Sequence, residues 1–161
     1  IVSDVSGQVL GDVSRTRNPR AEANTKSIGT TFTNILTIRN RRVYGGYVNQ
    51  AEIEPTYLVL ANDGNKSADF SIYTGVTLGG TPNFQEIGTD LISELDVAGT
   101  TITGGRRLGS FSVARLSSLQ INLADFGIRV PPTLTFTVVG KMVSGSAADL
   151  SASLNWYEDI S

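Results

Sequence analysis

From Ser117 to Glu158 the sequence alternates with a period of two, and this constrains the fold more than anything else in the chain. Leu119, Ile121 and Leu123 alternate with Gln120 and Asn122. After the break at Pro131-Pro132, Leu134, Phe136 and Val138 alternate with Thr133, Thr135 and Thr137; later, Leu150, Ala152, Leu154 and Trp156 alternate with Ser151, Ser153 and Asn155. One apolar and one polar face per strand is the pattern of half-buried antiparallel strands. The outward side chains are mostly Ser, Thr and Asn, which hydrogen-bond but do not titrate near neutrality. Such a segment presents a surface, and it points to a structural or binding protein more than to an enzyme.

The rest of the chain reads in the same way. Phe32, Leu36 and Ile38 alternate in a first core strand that ends at the charged run Arg39-Asn40-Arg41-Arg42. Tyr57–Ala61 and Ala68–Tyr73 flank Asn62-Asp63-Gly64-Asn65, and an Asp-Gly pair suits the positive φ angles of a two-residue loop, so a β-hairpin is expected here. Residues 84–97 fit either a helical turn or two short strands. Leu108–Val113 reads as a strand, and Leu123–Gly127 as one helical turn ended by glycine. About eight to ten strands with a turn signal every eight to fifteen residues predict an all-β antiparallel sandwich, jelly-roll-like.

Residues 1–27 differ. Ile1, Val2, Val5, Val9, Leu10 and Val13 are spaced irregularly among Ser, Gly and Asp, and an Arg-Asn-Pro segment follows. This is expected to be an extended N-terminal arm that docks on another subunit, with a short strand over 8–13 as the plainer alternative. The domain division is then an arm over 1–27 and a sandwich over 28–161. The chain begins at Ile1 and not at methionine, as expected of a processed form, a fragment or a portion numbered from one.

Composition narrows the function. The 161 residues hold neither cysteine nor histidine, which removes thiol nucleophiles, the usual zinc sites, imidazole catalysis and disulfides together. A net charge of -2 with 17% charged residues and dispersed arginines gives no footprint for nucleic acid. No apolar run reaches the ~20 residues that span a bilayer. Nothing in the inventory calls for a cofactor.

Few constellations remain. Glu86, Asp90, Glu94 and Asp96 hold the carboxylates a glycosidase would need, with Asp90 and Glu94 the pair to nominate, but their spacing fits a solvated face as well. Asn62–Asn65 has oxygens suited to calcium yet lacks the longer loop pattern. Glu52, Glu54, Glu158 and Asp159 read as a solvated edge, with calcium between subunits or loops as the sharper alternative. Glycine pairs at Gly45-Gly46, Gly79-Gly80 and Gly104-Gly105 read as turns. Tyr44 and Tyr47 straddle the first of these and, with Arg41 and Arg42, are candidates for contact with a sugar ring or a protein partner. Trp156 belongs to the core by its alternation, and Tyr157 points the other way.

The C-terminal block also resembles a β-domain that recurs in structural proteins of tailed bacteriophages, in tail-fibre, neck-fibre and head-decoration components. The likeness is carried by Ile121–Gly127, Leu134–Val139 and Ser144–Glu158, with Pro82–Phe84, Thr101–Gly105 and Leu108–Phe111 in the same order upstream. Pro131-Pro132 and the segment before Ile28 depart from it. The resemblance implies a virion component assembled as a trimer or larger array with other virion proteins, and no catalytic residues. Two alternatives stand beside it: a secreted prokaryotic filament subunit or adhesin at the cell surface, polymerised by donor-strand exchange through the arm, and a carbohydrate-binding module reading host-surface glycans through Arg42, Tyr44 and Tyr47.

Overall fold

The structure is a computed structural model that describes residues 16–88 and 91–160. Its main strands are β1 (Thr16–Ile28), β2 (Thr33–Asn40), β5 (Glu52–Asn62), β6 (Ala68–Thr74), β11 (Arg106–Val113), β12 (Ser117–Asn122), β13 (Thr135–Met142) and β14 (Ala148–Ile160). One sheet runs β1-β14-β5-β12 and the other is built on β11-β6-β13-β2, with every pairing antiparallel. In chain order the first sheet therefore holds the first, eighth, third and sixth of these strands, and the second holds the remaining four. That winding is a jelly roll.

Short elements decorate the frame. A ribbon of β3 (Val43–Tyr44) and β4 (Tyr47–Val48) lies between β2 and β5. Between β6 and β11, β7 (Thr77–Gly80) pairs with β10 (Gly99–Thr103), while β8 (Gln85–Glu86) and β9 (Ser93–Asp96) extend the second sheet beyond β2. The segment that fitted either helix or strands thus contributes strands.

The core lies between the sheets. Ile38, Phe70, Ile72, Phe136 and Val138 from one sheet meet Leu58, Leu60, Leu150, Leu154 and Trp156 from the other, all buried. Leu123–Phe126 forms the expected single turn, of 3-10 type, with Asn122 accepting from the Ala124 amide and Gly127 closing it at φ 63°.

Three expectations are corrected. First, β5 and β6 do not form a hairpin, because they belong to different sheets. Asn62 turns its side chain into the corner, accepting from the Gly64 amide at 2.9 Å and donating to the Lys66 carbonyl at 2.7 Å. Gly64 is not among the glycines at positive φ, so the Asn-Asp-Gly-Asn segment is an Asn-capped crossing between sheets and not a two-residue loop. Glycine is needed there for space, since a Cβ would stand 2.7 Å from both the Ala148 Cβ and the Met142 Cε.

Second, the sandwich begins no later than Thr16. The stretch from Thr16 to Ile28 pairs with β14 through thirteen uninterrupted partners, from Thr16 opposite Ile160 to Ile28 opposite Ala148. Its inward row is Asn18, Arg20, Glu22, Asn24 and Lys26, with only Ile28 apolar and fully buried. Backbone pairing with β14 places it in the sheet without an apolar stripe. The arm residues Ile1, Val2, Val5, Val9, Leu10 and Val13 lie outside the described residues.

Third, the threonine row of β13 is not a free surface. Thr137 is fully buried, and its hydroxyl lies 2.9 Å from that of Thr37, which donates to Asn34 Oδ1 at 2.8 Å. Asn34 in turn donates to Asp96 at 3.2 Å. A layer of hydrogen-bonded polar side chains therefore sits where alternation had predicted solvent.

Candidate assembly surface

The chain enters β1 and leaves β14 at one end of the sandwich, because Thr16 pairs with Ile160. The β3–β4 ribbon is at the same end, just before β5 begins at Glu52 opposite Asp159. Gly45 and Gly46 lie at φ 61° and 82°, the two positive values that a type I′ loop requires and that glycine adopts without strain. Among the described residues, the ribbon carries the most exposed large apolar side chains of that end: Val43 is 49%, Tyr47 80% and Val48 73% accessible.

The residues singled out from the sequence there part company. Tyr47 and Arg42 are exposed, but Tyr44 packs against the core, with the guanidinium of Arg41 5.9 Å from its ring. The two tyrosines are register partners across the ribbon and share one of its faces, with Tyr44 seated against the core and Tyr47 open to solvent. Val43 and Val48 were missed, although the symmetric run Val-Tyr-Gly-Gly-Tyr-Val around a glycine pair held the signal. Apolar side chains at a projecting tip suit burial against another protein.

The carboxylates are engaged within the fold. Glu86 pairs with Arg41 at 2.8 Å, and Glu94 with Arg39 at 3.1 Å, while the Arg39 guanidinium also lies 3.8 Å from the Phe84 ring centre. Asp96 is fully buried and accepts from the amides of Asn83 at 2.7 Å, Gly99 at 2.9 Å and Ala98 at 3.2 Å. It is the cap of the β9–β10 turn. Asp90 lies outside the described residues.

Glu52, Glu54 and Asp159 do not form a bare acidic edge. Arg129 lies 3.4 Å from Asp159, 3.7 Å from Glu54 and 3.9 Å from Glu52, and Arg17 bonds Glu54 at 2.5 Å. Arg17 also stacks on Tyr157, 4.3 Å from the ring centre, so the tyrosine does point away from the core. Glu158 is corrected outright: it is fully buried. Sharing the parity of Trp156, it faces inward, where it accepts from the Ile92 amide at 3.1 Å and the Ser93 hydroxyl at 2.5 Å. The Trp156 indole donates to Ser93 Oγ at 3.1 Å. A buried carboxylate is tolerable when its oxygens are bonded in this way.

Lys26 was also missed. Its ammonium leaves β1 to donate to the carbonyls of Asn34 at 2.8 Å and Gly99 at 2.9 Å. Burial pushes its pKa below the usual lysine value, and the nearby Asp96 charge partly opposes that shift. Beside it, Asn24 donates to the Ile35 carbonyl at 2.9 Å. These side chains tie β1 to the facing sheet by hydrogen bonds in place of apolar packing.

No protein-family model matches the chain, and no curated protein matches it. Several solved structures are similar to it at low identity and low TM-score. A protein from the disulfide-linked pili of Bacillus endospore appendages is 15% identical over 91% of each chain, with a TM-score of 0.42. The Yersinia pseudotuberculosis-derived mitogen is 14% identical over 86% of each chain, with a TM-score of 0.37. A capsid protein of Ralstonia phage GP4 is 9% identical over 88% of this chain and 84% of its own, with a TM-score of 0.37. The structural neighbours of this all-β sandwich thus include pilus and viral capsid proteins at low identity, and none lends it a function.

Proposed function

We propose that this chain is a non-enzymatic structural subunit of a virion, a capsid-decoration or fibre component that assembles with copies of itself. The observation that carries the proposal is the division of labour across the molecule. The carboxylates nominated for chemistry, where described, are engaged in ion pairs or turn caps, whereas exposed Val43, Tyr47 and Val48 project on a ribbon beside the point where the chain enters the sandwich. The resemblance of the C-terminal strands to bacteriophage structural domains supports the virion over other assemblies. In this reading the segment bearing Ile1, Val2, Val5, Val9, Leu10 and Val13 adds to a sheet edge of a neighbouring subunit, where backbone hydrogen bonds supply affinity and alternate side chains fill pockets.

Electron microscopy with light scattering tests the proposal on the full chain. Regular particles, caps or fibres are expected, and Val43→Ser, Tyr47→Ser and Val48→Ser together are expected to reduce them to smaller species. A monomer at every concentration would overturn it. Association left unchanged by the triple substitution would remove the ribbon from the interface.

A further inference from the structure

We infer that β1 is exchanged between copies of this chain, the β1 of one copy pairing with the β14 of another. The inference builds on the self-assembly part of the proposed function but is indifferent to the kind of particle formed.

Four observations lead to it. β1 is the first described strand and lies at the edge of its sheet, bonded only to β14. Its inward row, Asn18 to Lys26, supplies no apolar side chain, so its departure withdraws only Ile28 from the core. Its side-chain anchors reach outside the strand: Arg17 to Glu54 and the Tyr157 ring, Asn24 to the Ile35 carbonyl, Thr25 to the Ser151 hydroxyl, and Lys26 to the Asn34 and Gly99 carbonyls. All of these partners exist unchanged on a second copy. Only the connector 29–32 must differ between a self-contained and an exchanged arrangement; at its start a Cβ on Gly29 would meet nothing within 4 Å, while the Gly29 carbonyl accepts from the Met142 amide at 2.7 Å, a bond that either arrangement has to make.

The outer edge of β1 argues against the simpler mode, in which a neighbour adds a strand beside it. Pro19 has no N–H to offer a ladder, and long charged side chains directed inward along an edge strand discourage pairing from outside. β14 has no proline and a single inward charge, Glu158 near its end; the rest of its inward row, Leu150, Ala152, Leu154 and Trp156, is apolar and buried, and on this side its edge is covered by β1 alone. A sheet protected against addition at β1 but dependent on β1 to complete it associates through exchange of that strand. In an assembly the neighbouring β1 is held close by, so the exchanged contacts form at high effective concentration.

Disulfide trapping in the full chain decides the question, helped by the absence of native cysteine. Ala23 lies opposite Ser153 across the β1–β14 ladder. Partners directly opposite in an antiparallel pair have Cα atoms about 4.5–5.5 Å apart, within the reach of a disulfide. An Ala23→Cys chain and an isotopically heavy Ser153→Cys chain are produced together and oxidised. A disulfide-linked pair of one light and one heavy chain is expected, well above an Ala23→Cys with Ser118→Cys control. The inference is overturned if that pair does not exceed the control and the double variant Ala23→Cys/Ser153→Cys closes wholly within single chains. If regular assemblies still appear in the microscope with only within-chain closure, exchange falls and the proposed function stands; if only monomers appear, both fall.

Discussion

β1 and β14 are neighbours of the same length, paired residue for residue, and they contribute to the fold in opposite ways. β14 follows the rule of alternation: Leu150, Ala152, Leu154 and Trp156 point inward and are buried, and the strand is flanked on both sides. β1 points Asn18, Arg20, Glu22, Asn24 and Lys26 in the same direction and buries one apolar side chain, Ile28. Full burial of an isoleucine is worth roughly 1.5–3 kcal/mol. The remaining attachment of β1 is its hydrogen-bond ladder and a few side-chain anchors, whose net worth is about 1 kcal/mol each. Two strands in one sheet can therefore serve different ends, one building the core and the other completing an edge that can be undone.

The sharpest way to break this contrast is at the register pair Trp156 and Arg20. Trp156→Ala removes the largest fully buried side chain and leaves Ser93 Oγ without the indole donor, at an expected cost of about 3–5 kcal/mol. Arg20→Ala, directly across the ladder, is expected to change stability by no more than about 0.5 kcal/mol. Its Nε is buried without a hydrogen-bond partner, so truncation forfeits nothing there. Urea midpoints of the two variants give the comparison. Equal losses would show that β1 packs as a core strand despite its composition.

The same contrast explains what was legible in the sequence. β14 and β12 announce themselves because their apolar residues recur at every second position, the first core strand is marked by Leu36 and Ile38 although it is buried on both faces with Ile35 as well, and the glycine-ended turn at Leu123–Phe126 follows from its own residues. β1 carries no such row, and since it is specified by β14 and not by itself, it read as part of an arm. Glu158 was misplaced for want of applying the parity of Trp156 two residues further. The Asn62–Asn65 corner failed differently: a turn signal tells where the chain reverses, not whether the next strand joins the same sheet. Thr137 was hidden because what buries an outward row is a hydrogen-bonded layer formed with Asn34 and Asp96, far away in sequence. Within the candidate surface the Gly-Gly ribbon was legible as a turn, but the inward seating of Tyr44 depended on tertiary packing.

A second comparison moves to the other end of the two strands, where Ile28 meets Ala148. Gly64→Ala would bring a methyl group to 2.7 Å from the Ala148 Cβ, which cannot swing away, so a loss of about 1–3 kcal/mol is expected. Gly29→Ala, in the connector leaving β1, meets no atom within 4 Å and does not lie at positive φ. It is expected to be neutral or to stabilise by up to ~1 kcal/mol through the unfolded chain. Chemical denaturation measures both. A large loss from Gly29→Ala would mean that the connector is a constrained element and would count against its serving as a hinge.

The smallest effect tests the electrostatic side of the contrast, at Lys26 opposite Leu150. Burial lowers the pKa of Lys26 below 10.5, with Asp96 opposing. Between that lowered value and 10.5 the unfolded chain binds the proton that the folded chain has released, so stability rises with pH across the window. The contribution is complete above the unfolded value and is lost as pH falls through the folded one. An arginine stays charged throughout, so Lys26→Arg lacks this gain. The difference in urea midpoint between the parent chain and Lys26→Arg is therefore expected to widen in favour of the parent as pH approaches 10.5, while Leu150→Ala, uncharged on the facing strand, lowers stability by a pH-independent amount. Parallel pH profiles for the parent chain and Lys26→Arg would show that the ammonium is hydrated in the folded state, and that β1 is held at this point by its backbone ladder alone.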